Sequence, residues 1–346
     1  MKCAPGREEP SGASTGGHPM KLLTHALPLG AIALAAMAST ASAQTIRFAH
    51  MNSPTHFVNT AAETMAANVA ERTNGEVTIE LYPSGQLGEN AQITEQITLG
   101  GDLIGQVGVG TIADYVPDFS IIVYPFMYPD FEAAQRFLAS DLIKELEAQA
   151  EQAANAKVLC YLHFGVRDLY TRDREVRTPD DSAGLSIRVQ PVTIYTEMVE
   201  KVMQGAPTPM PWPEVYSALA QGVIDAAEAP PSAILDQSHQ EHARFLIQTN
   251  HMLDISPLVM SASLFNSLSP EYQAIVQEEA DAACQNMSEA SMASYEGGIE
   301  ELASQGMTII SDVDREAFAA RAGAIAEAFP EWSEGLYDRA REIIAQ

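Results

Sequence analysis

Two arginines stand in segments whose other residues are mostly apolar. Arg188 lies within the run Leu185 to Val189, and Arg167 follows the run Val158 to Phe164. A buried guanidinium needs an anion or a set of hydrogen-bond acceptors, because removing an unpaired charge from water is costly. Its planar fork also grips a carboxylate at two points. Both arginines are therefore candidate binding residues for an acid group.

Each arginine also has a structural interpretation. Side chains alternate between the two faces of a strand, so Ser186 and Arg188 could share a solvated face. Arg167 could be paired with its neighbour Asp168 instead of a ligand. The sequence pattern leaves these alternatives open.

Other candidate ligand contacts lie at strand ends or beside prolines. Trp212, within the proline-rich segment Pro207 to Pro213, could form a rigid wall for a carbon skeleton or be a core tryptophan. Glu228 follows a short apolar run and could orient an arginine, bind a hydroxyl or amine, or be solvated. His50 ends the first predicted strand, where ligand contacts gather in α/β proteins.

Three further positions complete the predicted site. We expect Glu89 and Asn90 to make polar contacts, and the backbone amides at Gly108 to face the ligand from the end of a strand. Gly108 also begins the pattern G-x-G-x-x-A, a weak form of the dinucleotide fingerprint. Because it does not follow the first strand, we interpret it as a strand-end loop.

Two other patterns suggest catalysis or metal binding but lack the context that either needs. Gly12 to Gly16 spells G-x-S-x-G, yet no predicted strand precedes it. His239 and His242 have a spacing that could hold a metal, but no third ligand has a recognisable spacing, which favours an exposed polar helix face. We predict no catalytic residue, metal or cofactor.

The charge balance limits the partners of the chain. It carries 46 acidic against 19 basic residues, with a formal net charge of −27. Nucleic acid is excluded as a partner on this ground. An acidic surface also repels anions at long range, so an anion site must be built from local cations and backbone dipoles.

The N-terminus predicts export. Met20-Lys21, a mostly apolar run from Ala26 to Met37 and the cleavage pattern Ala41-Ser42-Ala43 are typical of a signal peptide. The polar stretch before Met20 suggests that Met20 is the true start. We therefore assign residues 1–43 to an N-terminal extension and signal peptide, and expect a periplasmic protein of a Gram-negative bacterium.

The three cysteines do not indicate a disulfide framework. Cys3 falls in the predicted leader, while Cys160 and Cys284 have neither a C-x-x-C nor a metal-type spacing. We expect Cys160, within an apolar run, to be a small core residue.

Alternating β-like and helical runs predict an α/β fold with parallel sheets covered by helices. The predicted strands are Ile46 to Ala49, Val77 to Tyr82, Leu103 to Val109, Val158 to Phe164, Leu185 to Val189 and Val223 to Ala227; the predicted helices are Phe57 to Arg72, Ala91 to Leu99, Phe131 to Ala153, Ile194 to Met203 and Glu214 to Gln221. About 300 residues exceed one comfortable core, which favours two lobes. The run from Glu271 toward Gln305 predicts a long helix that spans both lobes, or two helices broken at Gly297-Gly298.

In this order the segments resemble the DctP-like solute-binding proteins of TRAP (tripartite ATP-independent periplasmic) transporters, across essentially the whole mature region. The resemblance is carried by Ile46-Arg47-Phe48-Ala49-His50, Leu81-Tyr82-Pro83-Ser84-Gly85-Gln86-Leu87-Gly88, Thr178-Pro179-Asp180-Asp181, Gly184 to Val189, Pro207-Thr208-Pro209-Met210 and Glu214 to Glu228.

The resemblance implies a two-lobed, type II-like binding protein with hinge strands and a long lobe-spanning helix. We expect lobe 1 to comprise residues 44–165 and 253–292, and lobe 2 to comprise residues 166–252 and 293–346. In this family the arginine at the place of Arg188 binds the ligand carboxylate, one at Arg167 often assists, and Trp212 falls where an aromatic wall is usual. Ala229 replaces a common ligand-binding Asn, and Gln190-Pro191 replaces the usual order of Pro and a polar residue.

We therefore expect a monomeric, non-catalytic receptor that binds a small organic acid and delivers it to the small and large membrane subunits of a TRAP transporter. The alternatives are an exported hydrolase and the ligand-sensing subunit of a signalling system. Dicarboxylates, keto acids, sugar acids, sulfonates and zwitterions all remain open as ligands.

Overall fold

A computed structural model describes residues 43–346. Residues 1–42 of the predicted leader, with Met20 and the Gly12 to Gly16 pattern, lie outside the described residues. The strands are β1 Gln44–Ala49, β2 Val77–Tyr82, β3 Leu103–Gln106, β4 Ala156–Thr171, β5 Ser186–Val189, β6 Ala206–Pro209, β7 Ala226–Ala229, β8 Phe245–Ser261 and β9 Thr308–Ile310. The helices are α1 Phe57–Arg72, α2 Asn90–Thr98, α3 Val109–Ala113, α4 Phe131–Leu138, α5 Asp141–Ala154, α6 Thr193–Glu197, α7 Val215–Gln221, α8 Pro231–Asp236, α9 Ala262–Ser267, α10 Pro270–Ser304, α11 Arg315–Ala319 and α12 Leu336–Ile344. A π-helical turn at Met198–Met203 extends α6, and short 3₁₀ turns form at Pro117–Val123, Pro179–Ser182, Trp212–Glu214, His239–Glu241 and Ala322–Ala328.

The strands form one mixed sheet, in the order β2-β1-β3-β8-β4-β7-β5-β6, with β9 beside β8. Parallel pairing occurs towards both edges, where β1 pairs with β2 and β3, and β5 pairs with β6 and β7. In the middle, β8 runs antiparallel to β3 and β4, and β4 runs antiparallel to β7. The α/β class is confirmed, but the expectation of purely parallel sheets is wrong, because β8 and the length of β4 were not predicted.

The two long strands β4 and β8 connect the two parallel parts of the sheet. Their pairing shifts register at three places, between Val158 and Cys160, between His163 and Gly165, and between Arg167 and Leu169. Gly165 has a φ of 147°, and a Cβ there would lie 2.5 Å from Pro230. Such irregularities bend a strand locally. The predicted lobe boundaries near 165 and 253 fall in this stretch, and their positions stay a prediction.

Two hydrophobic clusters cover the two faces of the sheet. Alternate residues of β8 show the division, because Val259 packs in one cluster while Leu258 and Met260 pack in the other. This alternation follows from the period of two along a strand. Both faces of the central strands are therefore buried.

The helix α10 is continuous over 35 residues, so the prediction of one long helix is confirmed and the alternative of a break at the glycines is wrong. Ser269 caps its N-terminus by accepting a hydrogen bond from the Tyr272 amide at 3.2 Å. The predicted single helix from Phe131 to Ala153 is wrong. It divides into α4 and α5 because Ser140 caps a new start.

A disulfide joins Cys160 on β4 to Cys284 on α10. The expectation that Cys160 is a free core residue is therefore wrong. Cysteine spacing gave no sign of this bond, because the two residues are 124 positions apart and meet only in the folded chain. Disulfides of this kind persist in oxidising compartments such as the periplasm.

Candidate functional site

A cavity of about 130 Å³ lies where residues from both parallel parts of the sheet meet. Its wall is formed by Met51, Asn52, Glu89, Asn90, Ala91, Gln106, Gly108, Thr111, Asp114, Phe164, Arg167, Arg188, Gln190, Pro191, Val192, Pro211, Trp212, Ala229, Pro230, Ala233, Asp254 and Ser256. Many of these residues follow the carboxyl ends of β1, β3, β5 and β7. Open α/β sheets bind solutes at this kind of edge.

Arg188 extends from β5 to the cavity wall and is 1% exposed. Its Nε and Nη2 atoms donate to the Met210 carbonyl oxygen at 3.0 and 2.8 Å. Among residues 43–346, no carboxylate oxygen lies within 4.0 Å of the guanidinium, and Nη1 has no hydrogen-bond partner. Burial lowers the pKa of Arg188 to about 10, so the group stays charged at neutral pH. The solvated-face interpretation is wrong.

Arg167, on β4, also lines the cavity but is enclosed by acids. Its Nε and Nη2 atoms donate to the two carboxylate oxygens of Glu228, and Nη2 also donates to the Glu228 carbonyl oxygen at 2.7 Å. Its Nη1 donates to Asp254. Four of its five donors are therefore used within the protein. The suggested partner Asp168 is wrong: it accepts hydrogen bonds from the Asn250 amide and the Tyr295 hydroxyl, both at 2.8 Å.

Glu228 is fully buried on β7, beside the cavity wall rather than on it. Besides Arg167, its carboxylate lies 3.3 Å from Nε2 of the buried His251. Burial alone would raise the pKa of Glu228, but the Arg167 charge and the hydrogen bonds outweigh it and lower the pKa to about 2. Of the three interpretations of Glu228, the geometry favours the one in which it orients an arginine.

Trp212 lies beside Arg188 on the wall. The guanidinium carbon is 5.0 Å from the centre of the Trp212 ring, a cation–π distance. The ring also packs edge-on against His239, with 4.7 Å between centroids. The tryptophan is half-buried and thus combines both interpretations, with one part in the core and one part on the wall.

Gly108 caps the start of α3, which is why the predicted strand to Val109 ends at Gln106. A Cβ at Gly108 would lie 3.2 Å from Gln190 Oε1 and 3.8 Å from Asn90 Nδ2. A side chain at this position would therefore crowd two amide groups of the wall.

Glu89 and Asp114 place two carboxylates on the wall. Burial raises the pKa of Glu89, with a further increase from Glu214 and an opposing effect of Arg188. Burial also raises the pKa of Asp114. Neither acid forms a salt bridge with a described residue. Both are thus available to accept hydrogen bonds from a bound molecule.

Amide side chains form much of the remaining polar wall. The side-chain nitrogen of Asn52 donates to Gln106 Oε1 at 3.3 Å. The side-chain oxygen of Asn52 and the side-chain nitrogen of Gln106 are not used in this contact. The Oδ1 atom of Asn90 has no hydrogen-bond partner among the described residues. A buried acceptor without a donor is costly unless a ligand or water supplies one.

Six of the eight predicted residues meet at this cavity: Arg188, Arg167, Trp212, Glu89, Asn90 and Gly108. Their contact with a ligand stays a prediction. Glu228 and His50 do not line the wall. His50 is fully buried with Nε2 3.2 Å from Asn59 Oδ1, because it turns into the core while Met51 and Asn52 reach the cavity.

Sequence reasoning missed six polar wall residues: Asn52, Gln106, Thr111, Asp114, Asp254 and Ser256. Asp254 carries the signal that identified Arg188, a lone charge inside an apolar run, here Met252 to Met260. Asn52 and Gln106 gave no signal, because single amides near strand ends are common in any α/β protein. Gln190 was recognised as a departure from the family pattern but was not among the eight predicted contact residues.

The paired histidines do not form a metal site. His239 is wholly buried, and its Nδ1 lies 2.8 Å from the Tyr170 hydroxyl, so the expectation of an exposed helix face is wrong for this residue. No cluster of metal-binding side chains occurs among residues 43–346. Within the same residues, no helix has the length and apolar character needed to cross a membrane.

Residues that follow the parallel strands of the two parts of the sheet touch each other near the cavity. A Cβ on Gly110 would lie 2.2 Å from Val192 Cγ1, so only glycine fits this contact. Ser53 donates to Asp236 through its amide, at 3.1 Å, and through its hydroxyl. These contacts join the two parts of the sheet next to wall residues such as Asn52 and Val192.

Comparisons with known proteins agree with this architecture. The profile of the bacterial extracellular solute-binding protein family 7 matches residues 48–331. The 2,3-diketo-L-gulonate-binding periplasmic protein YiaO of Escherichia coli K12 is 31% identical over 303 residues, covering 87% of this chain and 90% of that protein.

Two solved TRAP periplasmic solute-binding proteins have the same fold. One, from Actinobacillus succinogenes with bound L-galactonate, aligns with a TM-score of 0.83 at 31% identity, covering 87% of this chain and 99% of the other. The second, from Fusobacterium nucleatum with bound sn-glycerol-3-phosphate, aligns with a TM-score of 0.84 at 30% identity, covering 88% and 98%.

Proposed function

The chain belongs to family 7 of the bacterial extracellular solute-binding proteins, the family of the TRAP receptors, and from this we propose that it captures a small organic acid in the periplasm. In this proposal Arg188 forms a salt bridge with the ligand carboxylate. The bound acid is then delivered to the small and large membrane subunits of a TRAP transporter.

One observation carries the assignment to Arg188. Its guanidinium is buried at the cavity with Nη1 unused and without an acidic partner among the described residues. A ligand carboxylate would supply the missing charge and two acceptors in the geometry that a guanidinium fork favours. The Trp212 ring beside it would bound the carbon chain.

Capture would involve closure of two lobes around the cavity. The long strands β4 and β8, with their register shifts, supply the bending segments, and α10 would act as the common support. The Gly110–Val192 and Ser53–Asp236 contacts belong to the closed form in this scheme.

Export by a signal peptide would bring the receptor to the periplasm, where the Cys160–Cys284 bond is stable. We propose that it acts as a monomer and has no catalytic role. The hydrolase and sensor alternatives find no specific support in the cavity.

A thermal-shift screen with L-galactonate, D-glucuronate, pyruvate, succinate and taurine tests the proposal. An acid present at about 100 times its Kd should stabilise the protein by about 2.7 kcal/mol, because it binds only the folded chain. For the acid that binds, calorimetry on Arg188→Met should show an affinity loss of about 2–5 kcal/mol, the range for removing one partner of a buried charge pair.

Arg136→Met is the matched control, because Arg136 is exposed on α4 away from the cavity wall. It should leave affinity unchanged. Equal affinity of Arg188→Met and the unmodified protein would overturn the role of Arg188. Chemical conversion of the bound acid, seen by mass spectrometry, would favour the hydrolase instead.

A further inference from the structure

We infer that this site selects a hydroxylated monocarboxylate and rejects ligands with a second negative charge. The inference rests on the proposed function, since it assumes that Arg188 holds a carboxylate. It concerns what the rest of the cavity wall can then accept.

Arg167 does not offer a second anion site. Its guanidinium is fully buried among the carboxylates of Glu228 and Asp254, and four of its donors are used by them and by the Glu228 backbone. Its positive charge is already balanced within the protein. Arg188 is thus the one wall cation, among the described residues, that lacks an acidic partner.

The wall beyond Arg188 is acidic. Glu89, Asp114 and Asp254 line the cavity, and Glu228 lies directly behind Arg167, which gives four carboxylates against two arginines. A first ligand carboxylate is compensated by Arg188. A second carboxylate or a doubly charged phosphate would face these acids in a partly desolvated space, where like charges repel strongly.

The same wall carries one buried acceptor that requires a donor and two partly exposed carboxylates that can accept further hydrogen bonds. Asn90 Oδ1 has no partner among residues 43–346, and the carboxylates of Glu89 and Asp114 form no salt bridge there. Hydroxyl groups donate to such oxygens and also accept from the amide nitrogens of Asn52, Gln106 and Gln190. An ammonium donates only, so this mixture of amides favours hydroxyls.

Two matched ligand series test the inference by calorimetry. L-galactonate, galactarate and galactitol share a carbon skeleton and carry one, two and no negative charges. Glycerate, tartronate and glycerol repeat the series at smaller size, and serine replaces the 2-hydroxyl of glycerate by an ammonium. We expect a monocarboxylate to bind at least about ten-fold more tightly than its dicarboxylate and its polyol.

The outcomes separate the inference from the proposed function. A dicarboxylate that binds as tightly as its monocarboxylate overturns the inference and leaves the carboxylate anchor standing. A polyol that binds as tightly as its acid overturns the proposed function itself. Tighter binding of serine than of glycerate, or no binding of either hydroxy acid up to about 1 mM, a weak-affinity limit, overturns the hydroxylated class.

Variants identify the residues that set the selectivity. The double variant Glu89→Gln, Asp114→Asn removes two wall charges at partly exposed positions. It should reduce the affinity gap, which is the ratio of monocarboxylate to dicarboxylate affinity, by about five-fold or more. Asp254→Asn should act in the same direction. Asp141→Asn removes an exposed charge on α5 and should leave the gap unchanged. If the affinity gap is the same in the double variant, in Asp254→Asn and in the unmodified protein, the electrostatic explanation is overturned.

Discussion

The surroundings of Arg167 and Arg188 differ although both arginines are buried at one cavity. Arg167 is bound by two carboxylates, whereas Arg188 is held by a single carbonyl oxygen and the face of a tryptophan. Burial alone would make them look equivalent. Arg167 is neutralised by acids of the protein, whereas Arg188 has no acidic partner among the described residues, which is the basis of the ligand contact that we propose for it.

The difference teaches how to recognise a binding residue among buried charges. A buried charge that is paired with acids within the protein contributes to the folded state, while a buried charge at a cavity that lacks an acidic partner is available to a ligand. A change at Arg167 should therefore mainly lower the free energy of unfolding, whereas a change at Arg188 should mainly weaken ligand binding.

The largest expected effect is on stability at Arg167. Arg167→Met should lower the free energy of unfolding of the ligand-free protein by about 3–5 kcal/mol, because Glu228 and Asp254 would remain buried without their cation. Urea denaturation followed by circular dichroism measures this change. A loss below about 1 kcal/mol would mean that the acids are not dependent on Arg167.

The pH dependence of the free energy of unfolding tests the contribution of Glu228, the acidic partner of Arg167. Its pKa of about 2 lies below the ordinary value of 4.5, so its contribution to stability is present above pH 4.5 and is lost as the pH falls towards 2. The stability difference between the unmodified protein and Glu228→Gln should therefore shrink by about 2 kcal/mol between pH 6 and pH 3. Groups remote from Glu228 titrate alike in both proteins and cancel in the difference, whereas His251, whose Nε2 lies 3.3 Å from the Glu228 carboxylate, contributes to the difference together with Glu228. A constant difference would contradict the assigned pKa.

A smaller effect is expected at the ring beside Arg188. Trp212→Leu should weaken binding of the acid ligand by about 1 kcal/mol, because the guanidinium loses its cation–π partner. Calorimetry on the control Trp212→Phe should show a smaller loss of affinity than Trp212→Leu, because phenylalanine keeps an aromatic ring. Equal losses in both variants would assign the effect to lost volume instead.

The smallest effect is the stability of the ligand-free Arg188 variant. Arg188→Met should change the free energy of unfolding by less than about 1 kcal/mol, since no buried acid depends on this cation. The same urea experiment as for Arg167→Met gives a direct comparison. A loss as large as that of Arg167→Met would erase the distinction between the two arginines.

The sequence was sufficient for the features that local patterns determine. Helix α1 and strand β2 were predicted with their observed bounds, since periodicity and turn residues define both ends. Arg188 was identified because a charge within an apolar strand is conspicuous. The long strand β8 was missed, because its polar residues Asn250 and Asp254 interrupt the pattern that marks a strand.

What the sequence could not provide are pairings between distant residues. Arg167 was placed at the site, but its partners Glu228 and Asp254 lie 61 and 87 positions away and are brought together only by the central strands. The same holds for the bond between Cys160 and Cys284. Whether a buried charge is already neutralised is therefore a property of the fold, which single-residue patterns do not reveal.

The bond between Cys160 and Cys284 closes a covalent ring of chain that contains both arginines, Trp212 and Asp254. A protease that cuts one peptide bond inside this ring cannot release either fragment while the crosslink is intact. The groups of the cavity wall on that ring would then stay tethered after a single nick. A receptor exposed to the proteases of its compartment would thus tolerate one cut that would separate an uncrosslinked chain.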